Sequence, residues 1–370
     1  MRNKRLFICA GSTVIIFISS FACAYNQVID LGTLGGSIST AYSINDSGQI
    51  VGRAYNSSGT WRACLFDSTG GGRNTDLGTP GSNESYAYSI NNSGQIVGNG
   101  RYSPTNYDYR ASLFDNTGNG NNTDLGTFGG NQSYALYINN SGRIVGSAYN
   151  SSGYAYACLF DKTGAGHNVS LGTLGGNYSE GWSINNSNQI VGWASDSLSQ
   201  QRACLFDNTG GGHNIDLGTL GGSQSKAWSN NDSEQIVGHA YISSGNWHAC
   251  LFNAAGNGAN IDLGTLGGTD SIAYSNNDIG QIVGYSTING GSNWHACLFD
   301  STGNGNNIDL NNLIDPASGW VLQAAQDINN NGLIVGFGIH NGQDHAFLLV
   351  PEPATLLLIG LGAVMLRKKH

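Results

Sequence analysis

The sequence lacks the short motifs that usually mark metal or redox sites, because it contains neither a His-Glu-x-x-His nor a Cys-x-x-Cys pattern. Proline is scarce, with five residues in 370, and the 56 glycines follow no three-residue period, which excludes a collagen-like chain. Basic residues are also few: residues 25–350 contain nine Lys and Arg against 23 Asp and Glu, a net charge of −14. This acidic balance argues against nucleic acid and anionic membrane surfaces as partners.

What the sequence does contain begins with an export signal. A charged segment is followed by an apolar stretch over residues 6–21, and Ala22 and Ala24 form an A-x-A site for signal peptidase. We therefore expect residues 1–24 to be a signal peptide that is removed after the secretion machinery exports the chain. A lipidated Cys23 is the alternative, although the residues before it fit a lipoprotein box poorly. The charged residues are Arg2, Lys4 and Arg5.

The C-terminus carries a second targeting feature over residues 351–370. Pro351, Glu352 and Pro353 precede an apolar run over residues 354–366, and a basic end follows. The two prolines keep the triplet extended. Thirteen apolar residues form a short transmembrane segment, since a comfortable spanning helix needs roughly 20, and the cations would stay cytoplasmic. The basic residues are Arg367, Lys368 and Lys369.

This tail resembles the PEP-CTERM sorting signal of Gram-negative, exopolysaccharide-producing bacteria. The triplet, the apolar run and the basic end occur in the right order at the right terminus. The resemblance implies processing by an exosortase at the inner membrane and delivery to the cell surface or the extracellular matrix. A plain C-terminal membrane anchor is the other interpretation.

Between the two signals the chain is built from a repeat. The segment Asp-Leu-Gly-Thr-Leu-Gly-Gly at residues 30–36 returns in varied form at intervals of 46 to 48 residues. A period of this length with several strands per unit predicts a β-propeller. The copies start at Asp30, Asp76, Asp124, Ser170, Asp216, Asp262 and Asp309.

Turn-forming residues divide the first unit into four predicted strands, at residues 41–45, 49–55, 61–67 and 74–79. The third strand is apolar on both alternating faces, as expected of a blade packed between two others. A solenoid explains a 46-residue unit less well. The seventh unit has only three strands, whereas residues 28–33 form a strand without a partner. We therefore predict an all-β, seven-bladed β-propeller over residues 25–350, closed by its N-terminal strand so that no edge stays open.

The third strands carry a further resemblance. His345-Ala346-Phe347 is the name motif of the HAF-type extracellular repeat family, and other units contain relaxed versions such as Arg62-Ala63-Cys64. The resemblance covers about residues 28–350. It implies an exported, β-rich protein and no established chemistry.

Cysteines and histidines follow the repeat. Equivalent residues on successive blades lie about 10 Å apart, whereas a disulfide needs Cα atoms within roughly 7 Å. The five cysteines are therefore expected to be unbridged core residues. His248, His295 and His345 share one repeat position, so they cannot all ligate one metal, and we predict no metal site. The cysteines are Cys64, Cys158, Cys204, Cys250 and Cys297.

Acidic, glycine-rich turns offer a calcium alternative. Oxygen-rich loops can bind calcium, but their spacing does not match an EF-hand, and Asn253 replaces the leading Asp in one unit. We expect these carboxylates to cap their own turns and predict no cofactor. The leading residues are Asp67, Asp115, Asp161, Asp207 and Asp300.

Sites that break the repeat are the candidates for ligand contact. They lie in residues 100–109, 195–201 and 311–323, although insertions in surface loops explain them as well. Near-identical units favour a non-catalytic protein that binds glycan or envelope proteins in the exopolysaccharide matrix. The alternative is a polysaccharide-degrading enzyme on a propeller scaffold, with an asymmetric carboxylate such as Asp108 or Asp196. The candidate contact residues are Arg101, Tyr102, Tyr107, Tyr109 and Trp320.

Overall fold

The computed structural model describes residues 25–103, 108–289 and 293–352. Within these residues, 28 strands form seven antiparallel sheets of four strands each. Each sheet packs against the next, and the last packs against the first. The predicted all-β, seven-bladed β-propeller is confirmed.

The strands follow the chain blade by blade, except that the first strand belongs to the last blade. It is β1 (Tyr25–Asp30). Blade 1 contains β2 (Gly35–Ile44), β3 (Ile50–Asn56), β4 (Trp61–Phe66) and β5 (Thr75–Asp76). Blade 2 contains β6 (Ser85–Ile90), β7 (Ile96–Arg101), β8 (Tyr109–Phe114) and β9 (Thr123–Asp124). Blade 3 contains β10 (Gly129–Ile138), β11 (Ile144–Asn150), β12 (Ala155–Phe160) and β13 (Val169–Ser170).

The remaining blades repeat this order. Blade 4 contains β14 (Gly175–Ile184), β15 (Ile190–Asp196), β16 (Gln201–Phe206) and β17 (Ile215–Asp216). Blade 5 contains β18 (Gly221–Asn230), β19 (Ile236–Ile242), β20 (Trp247–Phe252) and β21 (Ile261–Gly264). Blade 6 contains β22 (Gly267–Asn276), β23 (Ile282–Ile288), β24 (Trp294–Phe299) and β25 (Ile308–Asp309). Blade 7 contains β26 (Trp320–Ile328), β27 (Ile334–His340) and β28 (Gln343–Pro351). Two short 3₁₀ helices, Leu310–Leu313 and Pro316–Ser318, precede it.

The strand bounds differ from the predicted ones at both ends of a unit. The first strand is longer, because Gly35 already pairs with Asn56, after which the register shifts. The fourth strand is shorter, because Gly78 adopts a left-handed φ of 78° that ends the pairing. The third strand is buried on both faces as expected, since Ala63, Cys64 and Phe66 are all buried.

The N-terminal strand closes the ring. β1 pairs with β28 in antiparallel register, with Asp30 opposite Phe347 and Tyr25 opposite Pro351. The hydroxyl of Tyr25 also donates to the carbonyl of Gly332 at 3.1 Å. Closure is therefore confirmed, although the strand spans residues 25–30 rather than 28–33, because Gly32 with a φ of 66° turns the chain towards blade 1.

Asparagines connect all seven blades around one mouth of the channel. In each blade an Asn follows the innermost strand, and its Nδ2 donates to the backbone carbonyl of the equivalent Asn in the next blade, at 2.7–3.0 Å. The last of these bonds runs from Asn329 back to Asn45. The seven bonds form a closed circle, which we call the asparagine ring. Its members are Asn45, Asn91, Asn139, Asn185, Asn231, Asn277 and Asn329.

The five described cysteines are free and buried, as predicted. Each lies in a third strand and contributes to a hydrophobic cluster between blades. Among the described residues, no helix is long and apolar enough to cross a membrane. The predicted transmembrane segment over 354–366, the basic residues after it and the signal peptidase site at Ala22 and Ala24 lie outside the described residues.

Candidate active site in the central channel

A cavity of about 400 Å³ lies on the axis of the propeller. Its wall is made by the innermost strands of all seven blades, which is possible because these strands repeat the same register around the ring. This volume falls within the range of roughly 300–1,000 Å³ that is common for small-molecule sites. The innermost strands therefore make the channel, and residues that differ between repeats give it its chemistry.

Aromatic rings cover much of this wall. Trp182 and Trp228 lie on neighbouring blades with ring centroids 3.7 Å apart, and Tyr274 meets Trp228 edge-on at 5.1 Å. On the other side, Tyr42 and Tyr88 lie 5.5 Å apart. Burial raises the pKa of Tyr42 to about 12, so its phenol stays neutral. Flat aromatic faces beside polar groups are suited to binding rings that have one apolar face, such as sugars.

Asp327 replaces a serine of the repeat. Five blades have Ser at this position of the innermost strand, and its hydroxyl can accept an N–H from the next blade, as Ser183 does from Asn230 at 3.3 Å. In blade 7, Asp327 Oδ2 accepts from the backbone N–H of Ile44 at 2.9 Å. The second carboxylate oxygen accepts from Ser275 Oγ at 2.6 Å. The serines are Ser43, Ser89, Ser183, Ser229 and Ser275.

Burial governs the protonation of Asp327. It disfavours the charged carboxylate and raises the pKa, and the hydrogen bonds from Ser275 and from backbone N–H groups only partly offset this. Tyr137 fills the same repeat position in blade 3, lines the same cavity and is itself kept neutral because burial raises its pKa. Asp327 is thus a group that can hold a proton inside the cavity.

Glu180 is the second carboxylate of the cavity and has a different environment. Its Oε2 accepts from the indole N–H groups of Trp182 at 2.9 Å and Trp193 at 3.1 Å. The ammonium group of Lys226 lies 5.2 Å and 5.1 Å from the centroids of the same two rings. Burial lowers the pKa of Lys226, and the charge of Glu180 opposes that shift. Two indole donors and a nearby ammonium group thus surround this carboxylate.

Of two further polar groups, His239 lies behind Trp228 of the inner wall and Ser147 lines the cavity itself. His239 lies opposite Lys226 on the adjoining strand, and its Nδ1 accepts from the indole N–H of Trp228 at 2.9 Å. Burial and the charge of Lys226 lower the pKa of His239 to about 3, so the imidazole is neutral. Ser147 Oγ lines the cavity and is buried without a hydrogen-bond partner from the described residues. A ligand in the cavity would satisfy this hydroxyl.

The predicted contact residues that the structure describes do not line this cavity. Tyr102 and Tyr109 belong to the β7–β8 hairpin of blade 2, where Arg110 lies 5.4 Å from the ring of Tyr102 and Tyr109 donates to Glu84 at 2.6 Å. Arg101 ends β7, and Tyr107 lies outside the described residues. Trp320 is buried in blade 7, where it stacks on His340. Their role in ligand contact stays a prediction.

The two carboxylates that we named as catalytic candidates, Asp108 and Asp196, form hydrogen bonds with nearby side-chain or backbone groups. Asp196 accepts from the N–H groups of Leu198 and Gln200 and so caps its hairpin. Asp108 is bonded to Asn131 at 2.6 Å. We searched for asymmetry in insertions, and therefore missed single replacements inside a conserved strand. A visible signal was present: residues 326–330 read Gln-Asp-Ile-Asn-Asn where other units have Ser before Ile or Asn.

The acidic turns that suggested calcium are folded on themselves. Asp67 Oδ1 accepts from the N–H of Thr69 at 3.0 Å and from its hydroxyl at 2.6 Å. These bonds lower the pKa of the Asp67 carboxyl. The same pattern recurs at Asp115, Asp161, Asp207 and Asp300. The turns thus have a structural explanation, and calcium binding stays untested.

Comparison with known proteins gives one match in sequence. Residues 349–369 match the model of the PEP-CTERM protein-sorting motif. This motif is the recognition signal for exosortase processing, so the chain is exported through the membrane to the cell surface. A search of curated proteins finds no match.

Several solved structures are similar in fold. One is described as XC5397 from Xanthomonas campestris, a gluconolactonase important in glucose secondary metabolic pathways. It shares 10% identity with this chain, and the match covers 86% of this chain and 91% of that one with a TM-score of 0.38. At this level of similarity, neither the substrate nor the active-site residues of that enzyme can be assigned to this chain.

The neighbour does correct one expectation. We expected a non-catalytic protein because an active site usually breaks the symmetry of near-identical units. That expectation is corrected, since the solved structure found in the comparison is described as a gluconolactonase. The catalytic alternative is therefore the interpretation developed below, and it is argued from the cavity of this chain alone.

Proposed function

We propose that this protein is an exported enzyme that degrades polysaccharide in the axial cavity of its propeller, at the surface or in the exopolysaccharide matrix of a Gram-negative bacterium. The observation that supports this most is the pair of carboxylates, Glu180 and Asp327, in one cavity lined by aromatic rings. The HAF-type resemblance, which implies an exported, β-rich protein, agrees with the export in this proposal.

The two carboxylates have the environments that acid and base roles require. Glycoside hydrolysis commonly uses one carboxyl that holds a proton and one that is ionised. Burial raises the pKa of Asp327, which suits a general acid. Glu180, which accepts N–H bonds from two indoles, would be the partner that activates water or attacks the sugar. The Trp182–Trp228 pair would carry the sugar ring against them.

The test uses residues 25–352 and a panel of polysaccharides, with release of new reducing ends as the measurement. Asp327→Ser installs the residue that five other blades have at this position, so it keeps the inter-blade hydrogen bond and removes the carboxyl. Loss of a general acid or base lowers turnover by about 10²–10⁴-fold. Glu180→Gln should give a comparable loss while it still accepts from the indoles.

Asp196→Asn is the control, because that carboxylate caps a hairpin outside the cavity. It should leave turnover unchanged, and thermal melting should show that all three variants are folded. Turnover that survives Asp327→Ser and Glu180→Gln, or the absence of new reducing ends with every polysaccharide, contradicts the proposal.

A further inference from the structure

Two histidines and an aspartate meet at the seam where the ring closes. His345 Nδ1 lies 3.0 Å and 2.9 Å from the two carboxylate oxygens of Asp30, and His340 Nδ1 lies 3.0 Å from Oδ2. Each residue offers one possible ligand atom, and these three atoms all lie within 4.8 Å of one another. This is the one such group of three among the residues that the structure describes.

Strand register brings the three side chains together. Asp30 of β1 pairs with Phe347 of β28, and His345 lies two residues before Phe347 on the same face. His345 in turn pairs with Gly338 of β27, and His340 lies two residues after Gly338. The three residues thus form a diagonal across three adjacent strands. Gly338 has no side chain, and the backbone of Val321 and Leu322 in β26 lies against it where a Cβ would be.

A tight turn places His340 close to His345. Strands β27 and β28 are joined by Asn341 and Gly342, both with positive φ, and His340 pairs directly with Gln343. Asn-Gly with two positive φ angles is typical of a two-residue hairpin. The corresponding hairpin of blade 1 has four residues between Asn56 and Trp61. The shorter turn is therefore specific to the seam.

Other blades show that one basic side chain is sufficient as a partner for the aspartate. The residue equivalent to Asp30 meets a single Arg in blades 1, 2 and 4 and a single His in blades 5 and 6, as in the His248–Asp262 pair at 2.9 Å. The second imidazole at the seam is thus additional to the repeated ion pair. Residues equivalent to His340 are Asn56, Tyr102, Asn150, Asp196, Ile242 and Ile288.

We propose that Asp30, His340 and His345 bind a divalent transition-metal ion such as Zn²⁺, and that this ion fastens the N-terminal strand to blade 7. Imidazole nitrogen and carboxylate oxygen are common Zn²⁺ ligands, and ligand atoms about 2.0–2.1 Å from a tetrahedral ion lie about 3.3–3.4 Å from one another. The imidazole nitrogens now lie 2.9–3.0 Å from Asp30, so the side chains need to move apart by less than about 0.5 Å to admit the ion.

The surroundings of the three ligands also suit an ion. Their side chains are 17–31% exposed, so an ion can enter from solvent and water can complete its coordination. The side-chain amide of Asn341 lies against His340, with its Nδ2 3.1 Å from Nε2. A half-turn of this amide would bring its oxygen to the same place, where it would accept the Nε2–H of a metal-bound imidazole. Trp320 stacks on His340 at 4.5 Å with parallel planes and fixes the orientation of the ring.

The test is titration of Zn²⁺ into untagged residues 25–352 after treatment with a chelator, measured by calorimetry and by thermal melting. We expect one ion per chain and a higher melting temperature, with an effect that grows as pH rises because the ion displaces protons from the imidazoles. Ca²⁺, which prefers oxygen ligands, should not compete. Co²⁺ bound in place of Zn²⁺ should give visible absorption bands that a hydrogen-bonded cluster cannot give.

The variant His340→Asn distinguishes metal binding from the His345–Asp30 contact. It installs the residue found at this position in blades 1 and 3 and leaves the His345–Asp30 contact in place, so it should abolish the Zn²⁺ shift and the Co²⁺ bands. His248→Gln, which removes the matched histidine of blade 5, should leave both intact. Failure of the wild-type protein to bind Zn²⁺, or equal binding by His340→Asn, overturns the proposal.

Discussion

Replacement of Leu31 by Ala tests whether the N-terminal segment is a full part of the ring. Leu31 follows the closing strand, is 1% exposed and packs into a cluster shared by blades 7 and 1, with Val335 and Leu348 on one side and Ile50 on the other. Its backbone N–H donates to the carbonyl of Ala346 at 3.0 Å. Leu125 has the same place between blades 2 and 3, is also buried, and donates to Ala111 at 2.9 Å.

Removal of a fully buried leucine side chain costs about 2–5 kcal/mol. We expect Leu31→Ala and Leu125→Ala each to lower the free energy of unfolding within this range and by similar amounts, because the contacts at the seam repeat those between other blades. Denaturant unfolding of residues 25–352, followed by tryptophan fluorescence, gives both values. If Leu31→Ala unfolds like the wild type while Leu125→Ala is destabilised, residues 25–31 do not close the ring and the seam is open in solution.

Two further predictions concern the channel. Asn231→Ala should destabilise the protein by about 1–3 kcal/mol for each buried group left unpaired, since Asn231 donates to Asn277 at 2.7 Å and accepts from Gln235 at 2.9 Å. Urea unfolding measures this loss, and an unchanged free energy of unfolding would show that the asparagine ring does not stabilise the fold. His239 is neutral in the fold, with a pKa lowered from 6.5 to about 3. Its contribution is therefore present above pH 6.5 and is lost as pH falls towards 3, with a slope of about 1.4 kcal/mol per unit. His239→Gln should reduce this slope in urea unfolding measured across pH, and an unchanged slope would refute the assignment.

The repeat made the scaffold predictable. Spacing between the Asp-Leu-Gly segments gave the number of blades, and alternation in residues 61–66 indicated a strand covered on both faces. The missing strand of blade 7 and the surplus strand before blade 1 together required closure. Periodic sequence patterns indicate local strand geometry, and in a propeller every blade has the same strand order. One repeat therefore predicts the others.

The cavity was not predictable in the same way. No motif in the sequence marks Asp327, Glu180 or Lys226. Each is a single polar residue in its repeat, and the residues around it resemble those of the other repeats. Only the ring places strands from seven separate units around one axis, so that side chains from blades 4, 5 and 7 line the same cavity. Burial then raises the pKa of Asp327 and lowers that of Lys226, and burial is a property of the assembled ring.

The sequence by itself determined export, the repeat length, the seven blades and the location of the closing strand, because signals and strand patterns depend on residues close together in the chain. Tertiary structure alone decided which distant residues meet. It brought Asp30 to His340 and His345 across some 310 residues of sequence, and it joined seven asparagines into one circle. Strand register and closure fix these contacts, and neither can be read from a single repeat.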